Sequence, residues 1–583
     1  MRCLSLRDRT GVVPVVTVMK VLALLGVLCF IQIFCSYPVF AQSNDAAAAE
    51  AARAHEKRLQ EDALRRQKEL EARQQSPDVF LQPQIDVSDT DEPDNKTCFN
   101  IQHIQVQGVL AFDKKQIDVL IHPYLNQCLG LAEINRLIKS ISNLYIAKGW
   151  VTSRAFLQPQ NLADGTLDIL VVEGQLETLE SVEGSLTERQ LRWAFPVEEG
   201  RLLNLRDLEQ GLEQLNRLQQ NRSELDIQPG SATGASRALI RNNIASQIHI
   251  GAGFNNSGSE ATGETLATAY VSWDNPFNSN DNVFLNVSDA ISGEDPAKSR
   301  SYSMAYSVPY GYALFSYSGS YFEYEQLVKG VAVDFLTSGS SANHTLNLDY
   351  MLYRGQRDKL SLGLGFTRKQ SKNYLEDVFL DTSSRILYLW DFGPTYTRPL
   401  ANGLFNTSVK WYRSVNWGDA KTELVSAEND FQFNKYTLDS TLTLNFNVFD
   451  QQFSYQTSAY LFYSPEAIIA SEALSLGGRY SIRGVEGEGL FGYRGGYWRN
   501  QIALVHPFKF GGRMDIYAGV DVGQSDTPDN PDINNETLVG SAVGVVLSAA
   551  GVNLDIAYAR ALKVPDYLQG AEHGIYASLQ ANF

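Results

Sequence analysis

Few residues of this chain are placed for bond-making chemistry. The seven histidines (His55, His103, His122, His249, His344, His506 and His573) are scattered. None falls into a Ser/His/Asp arrangement or a metal-ligand spacing. No GxxxxGK[ST] loop is present to cradle a nucleoside triphosphate. No catalytic residue, metal or cofactor is therefore expected. Two features stand out instead. Cys98 and Cys128 lie 30 residues apart and form either one disulfide in an oxidising compartment or two buried thiols. The stretch Ser481-Ile-Arg-Gly-Val-Glu-Gly-Glu-Gly489 sets a single cation, Arg483, among glycines. Glycine at that density belongs to a loop that turns tightly or approaches another backbone.

The elements that hold such a loop come from the rest of the chain. It has 583 residues and a net charge of −17, which argues against a nucleic-acid-binding surface. Mean hydropathy is −0.21, with 28 Tyr, 28 Phe and 44 Gly. That balance suits a transmembrane β-barrel, in which alternate residues face lipid. Residues 1–41 read as a secretory signal peptide. Arg2, Arg7, Arg9 and Lys20 precede the apolar run Val21–Cys35, and Val39 and Ala41 stand at the cleavage spacing. The run is shorter than the roughly 20 residues of a spanning helix.

Residues 42–75 read as a helix rich in Ala, Glu, Lys, Arg and Gln, with seven basic and seven acidic residues in 45–75. With no apolar face, it is either a solvated spacer or short coiled coil, or a helix housed in a water-filled lumen. Residues 76–97 form a linker. Residues 98–174 follow the order β-α-α-β-β, with strand alternation over Cys98–Val109, a helix capped by Asp113, and a helix over 131–148 ended by Gly149. Residues 175–243 repeat that order. From 244 to 583 only strands are expected, about sixteen runs of roughly 8–14 residues between turn residues. An even count of antiparallel strands fits a single-chain outer-membrane barrel, and a pair of soluble β-sandwiches is the competing fold.

This order resembles the outer-membrane transporters of two-partner secretion (TpsB proteins), in the superfamily of barrels with POTRA domains. The likeness covers nearly all of the expected mature chain. Ile482-Arg-Gly-Val485 is similar to that superfamily's Val-Arg-Gly-aromatic motif, with Val485 departing from it. Gly519-Val-Asp-Val-Gly523 fits its strand motif, and Phe583 its C-terminal barrel-assembly signal. Leu215-Asn-Arg-Leu218 is similar to the end of the second POTRA helix. The resemblance implies that the loop between the eleventh and twelfth strands folds back into the barrel. There Arg483 meets an inward-facing Asp521, with Gly484, Gly487 and Gly489 easing the path. Arginine's planar fork suits a carboxylate. A solvated lumen carboxylate is the other reading of Asp521.

The function implied is a secretion pore. The two periplasmic POTRA modules take up an unfolded partner exoprotein by strand addition. The polar helix plugs the lumen at rest, and the outer-membrane lipid and the barrel-assembly machinery are further partners. A barrel-assembly or autotransporter-assembly factor, a passive porin or receptor, and an outer-membrane enzyme are the alternatives.

Overall fold

The computed structural model describes residues 98–583, apart from 260, 292–296, 329–333, 421–431, 487–488, 510, 527–534 and 569–572. The expected signal peptide, polar helix and linker, and Gly487, lie outside the described residues.

The first module contains β1 (Phe99–Ile101), β2 (His103–Gln107), α1 (Lys114–Ile121), β3 (Gln127–Leu129), α2 (Leu131–Ala147), β4 (Arg154–Leu157) and β5 (Thr166–Val172). β2 runs parallel to β5 and β4 antiparallel to it, in the order β2-β5-β4. The continuous strand expected over 98–109 is broken at Gln102. The amides of Gln102 and His103 both donate to the Gly165 carbonyl (2.8 and 3.1 Å). The chain there leaves one partner, β3, for another, β5. α2 buries Ile134, Leu137, Ile141 and Tyr145 at helical spacing against Leu167, Ile169 and Val171 of β5. Gly149 ends it with φ +92°.

Cys98 and Cys128 are disulfide-bonded, clamping the three-residue pairing of β1 with β3. A two-stranded ribbon that short has little stability of its own. We expect Cys98→Ser to destabilise the module by about 2–4 kcal/mol. Protease resistance of the periplasmic part, measured on the oxidised wild type and the variant, checks this.

The second module repeats the plan with β6 (Gln175–Ser181), α3 (Glu188–Ala194), α4 (Leu205–Asn216), β7 (Asn221–Pro229) and β8 (Ala235–Ile244), in the sheet order β6-β8-β7. Thr187 caps α3 in a reciprocal box with Gln190. α4 buries Leu208, Leu212 and Leu215 in the module's core. The two modules meet where the Leu205 amide donates to the Gly149 carbonyl (2.8 Å) and the Leu203 amide to that of Gly174 (2.9 Å).

The remaining strands are β9 (Ile248–Asn255), β10 (Leu266–Asp274), β11 (Asn282–Ala290), β12 (Lys298–Tyr310), β13 (Ala313–Val328), β14 (Phe335–Arg354) and β15 (Lys359–Leu375). Then follow β16 (Val378–Phe379), β17 (Arg385–Leu400), β18 (Gly403–Val415), β19 (Asn434–Val448), β20 (Gln451–Tyr463), β21 (Leu474–Leu476) and β22 (Leu490–Gly492). The last five are β23 (Arg494–Pro507), β24 (Arg513–Asp526), β25 (Glu536–Ala549), β26 (Val552–Lys563) and β27 (His573–Asn582). Sixteen of them close an antiparallel barrel; β16 only folds back on the end of β15, and β21 and β22 pair with each other inside. A closed barrel satisfies every strand's backbone groups without water, as a membrane requires. The exposed face carries Ile250, Phe254, Leu285, Trp498, Ile502, Ile556 and Leu579. Several strands outrun their expected length: β14 has 20 residues and β15 has 17.

The barrel closes where β27 meets β9, over five register pairs against eight between β9 and β10. Phe583 and Ile250 exchange backbone hydrogen bonds at one end of this seam (2.8 and 3.2 Å). At the other, Asn256 donates to the Ile575 carbonyl (2.5 Å) and accepts from the Ala577 amide (2.8 Å).

Candidate functional site

The period of two in β24 decides which of its residues face inward. Tyr517, Gly519, Asp521, Gly523 and Ser525 are buried, while Ile516, Val520 and Val522 alternate with them on the exposed face. The Gly-x-Asp-x-Gly motif therefore presents a carboxylate between two gaps on the inner wall.

The segment that fills those gaps is 464–493, inserted between the paired strands β20 and β23. The β21–β22 hairpin carries its tip, and the turn Ile469–Ala473 before that hairpin is its stem. Ile468, Ile469, Leu474, Leu476, Ile482, Val485 and Leu490 of the segment are buried with Leu387, Leu389, Phe433, Phe462, Tyr497, Leu538 and Ala561 of the wall. Burial at roughly 25 cal/mol per Å² makes this apolar wedge a substantial hold by itself. Val485 belongs to it at 3% exposure, and its carbonyl accepts from the Gly478 amide (2.7 Å). The departure from an aromatic at this position thus concerns the segment's own packing, away from the arginine.

Arg483 lies at the tip, 4% exposed, against a fully buried Asp521. Its Nε donates to Asp521 Oδ2 and its Nη2 to Oδ1, both at 2.7 Å, and its backbone amide adds a third bond to Oδ2 at 3.1 Å. Nη1 donates to Gln501 Oε1 (2.7 Å) and Nη2 also reaches the Asn500 carbonyl (3.4 Å). This is the planar two-pronged fit that lysine cannot make. The flanking glycines are steric vacancies. A Cβ on Gly519 would stand 2.3 Å from Arg483 Nη2, and one on Gly523 2.9 Å from Ile482 Cδ1. Gly484 has φ +86°, and a Cβ there would meet the Arg560 backbone at 2.3 Å. The Cα of Gly489 lies 3.3 Å from where a Cβ on Gly477 would be.

Sequence reading brings Ile482, Arg483, Gly484, Gly519, Asp521 and Gly523 to one place, and the structure puts them in contact. It missed the residues that complete the site. Arg499, opposite Asp521 in the ladder, lies 3.7 Å from Oδ1 and donates to the Tyr480 carbonyl (2.8 Å). Tyr576 accepts from the Gly484 amide (3.0 Å) and donates to Glu486. Arg479 pairs with Asp555 (3.1 Å) and stacks over the Tyr576 ring. The signal available was a charge on the inward phase of a strand, as in Tyr497-Trp-Arg-Asn-Gln501.

A second polar assembly joins the second module to the barrel. Arg354, at the end of β14, reaches Glu209 (3.4 Å), Gln210 (3.0 Å) and Glu213 (2.9 Å) on α4. Glu209 also holds Arg206 (2.5 Å), and Glu213 holds Lys359 (3.0 Å). Arg217, within the Leu-Asn-Arg-Leu motif, donates to Ser307 Oγ (2.7 Å) and the Asn280 carbonyl (2.5 Å). Burial draws its guanidinium down to about 10, against the pull of Asp274 and Asp281; it remains charged at neutral pH. Tyr312 donates to Asp207, whose carboxyl is pushed up by burial. Among the described residues no group of three or more His, Cys, Asp or Glu could hold a metal ion.

Residues 234–547 match the family model described as "Haemolysin secretion/activation protein ShlB/FhaC/HecB", 99–174 the ShlB-type POTRA domain and 175–229 a further POTRA domain. The chain belongs to the haemolysin secretion/activation family. It is a POTRA-bearing transporter of the bacterial outer membrane, of the two-partner secretion kind. Relatives in this family include the outer membrane transporter CdiB of Dickeya dadantii, 31% identical over 81% of this chain and 84% of the relative. The hemolysin transporter protein ShlB of Serratia marcescens is 32% identical over 74% and 76%. Among solved structures, CdiB from Escherichia coli superposes with a TM-score of 0.81 at 29% identity, over 91% of this chain and 99% of that one.

Proposed function

We propose that this family member carries an unfolded exoprotein from its POTRA modules through the barrel lumen, and that the 464–493 segment governs that passage through Arg483 and Asp521. The observation carrying this is the buried fork of Arg483 on Asp521: a loop is held inside a pore by a contact that surface stability does not call for. In the first module β2 and β4 are sheet edges, and Phe156 of β4 is half exposed. Such an edge takes up an extended chain by backbone pairing, with side chains read alternately. A photo-crosslinker at Phe156 is expected to capture one exported polypeptide in living cells; capture of none counts against this edge as the receiving surface. The names of the relatives, transporters of haemolysin among them, favour secretion over barrel assembly. The chain is a conduit and no catalytic role is assigned to it.

The polar helix at 42–75 is read as a plug that leaves the lumen during transport. Deleting residues 45–75 is expected to raise the conductance of the reconstituted protein. An unchanged conductance would mean that this segment does not occlude the pore. Phe583, whose backbone closes the seam with Ile250, is read as the residue presented to the barrel-assembly machinery.

A further inference from the structure

The 464–493 segment is fastened at a second place, which the arginine motif does not touch. A single turn, Ile469–Ala473, precedes the hairpin; the Glu472 amide donates to the Ile469 carbonyl (2.9 Å) and that of Ala473 to the Ala470 carbonyl (3.2 Å). The turn aims Glu472, 3% exposed, at the wall. There its Oε1 accepts from Lys369 of β15 and its Oε2 from Lys435 of β19, each at 2.6 Å. β19 and β15 stand three and six strands round the barrel from β24. One segment is thus tied by its tip to one wall and by its stem to another.

The two ties differ in kind. At the tip, arginine binds in a rigid fork, its backbone amide joins in, and glycines at 484, 519 and 540 press backbone or guanidinium against the wall. A Cβ on Gly540 would lie 2.0 Å from the Arg483 carbonyl oxygen. Separation there strands a fully buried carboxylate. At the stem, one carboxylate is shared between two lysines, point charges on flexible four-carbon stems. The Lys369 side chain is 35% exposed and that of Lys435 12%, so on release Lys369 exchanges Glu472 for water and Lys435 bears the desolvation left at the wall.

We propose that Glu472 is a positioning residue that latches the stem of the 464–493 segment, and that this stem swings away from Lys369 and Lys435 while Arg483 stays on Asp521. The inference rests on the reading above that this segment governs the lumen. It makes the arginine contact the hinge and the glutamate contact the catch.

Thiol labelling of the full-length transporter in outer membranes tests this. Cys98 and Cys128 are bonded to each other, so an introduced cysteine reports alone among the described residues. Ile469→Cys reports the stem and Ile482→Cys the tip; both positions are buried. In a Glu472→Gln background, labelling of Ile469→Cys by a water-soluble maleimide is expected to quicken about tenfold, the behaviour of a local opening that has lost its closing contact. Labelling of Ile482→Cys stays at its slow rate. Equal rates with and without Glu472→Gln at position 469, or equal acceleration at both positions, overturns the proposal. If Glu472→Gln fails to assemble, judged by the migration of unheated protein in gels, Lys435→Gln replaces it with the same differential expected; its absence there also overturns the latch. Labelling is read on the resting transporter, so its outcome is independent of whether Arg483 is needed for export.

Discussion

Arg483→Ala is expected to abolish export of the partner while the protein still reaches the outer membrane as a closed barrel. The barrel ladders on both sides of the site, β20 with β23 and β23 with β24, are made of backbone bonds that the substitution leaves intact. What disappears is the counter-charge on a carboxylate with no exposed surface. Removing one partner of a buried pair costs about 3–5 kcal/mol, most of it the penalty on the group left behind. Arg499, at 3.7 Å from Asp521, offsets part of that charge but cannot draw in the loop, since it lies on the wall itself. Arg483→Lys is expected to rescue poorly, because a point charge cannot reach Asp521 Oδ1, Oδ2 and Gln501 together. The checks are the amount of partner in the culture medium and the heat-dependent migration of the transporter. Normal export by Arg483→Ala would remove this contact from the mechanism.

Arg354→Ala is expected to loosen the second module from the barrel. The Arg354 and Glu209 side chains are 1% and 0% exposed, so the contact is sealed from solvent on both sides. Without it Glu209 retains Arg206 and Glu213 retains Lys359, two cations for two carboxylates, but no group spans from Glu209 through Gln210 to Glu213. The loss is about 1–3 kcal/mol, the cost of buried hydrogen bonds left unmade rather than of a stranded charge. Arg354→Met is expected to recover much of it, because the apolar stem refills the contact while Glu209 keeps Arg206 and Glu213 keeps Lys359. Spin labels on β7 and on the β14–β15 turn read the result. A distance distribution as narrow in Arg354→Ala as in the wild type would show that the apolar contacts alone fix the angle.

Much of this was legible in the sequence, for reasons that also mark where it was not. The sixteen strands could be found because period-two alternation and turn residues are local signals. The inward-facing Asp521 came from the family resemblance, and Gly519 and Gly523 share its buried phase in β24. The outer part of β14, Phe335-LTSGSSA-Asn343, could not be found from local signals: serines and threonines on both faces carry no alternation, and only pairing with β13 and β15 makes it strand. Arg206, Glu209, Gln210 and Glu213 on α4 carry no local sign of burial in the sequence. They are buried because Arg354 and Lys359 arrive from the barrel, up to 146 residues away. Glu472 was invisible for the same reason. Its partners sit on strands 103 and 37 residues before it, and a lone glutamate between Ser471 and Ala473 has no local pattern.

The short seam between β9 and β27 carries a consequence for how the molecule is made. Its partners are separated by more sequence than any other ladder in the sheet, so the wall is the last thing to exist. Until β27 is in place, β9 and β26 are two raw edges in a sheet of fifteen strands, each able to recruit a foreign strand. The Asn256 side chain, gripping both Ile575 and Ala577, then works as a buckle that only a finished chain can fasten. Without β27 the sheet has no second partner for β9 and stays open.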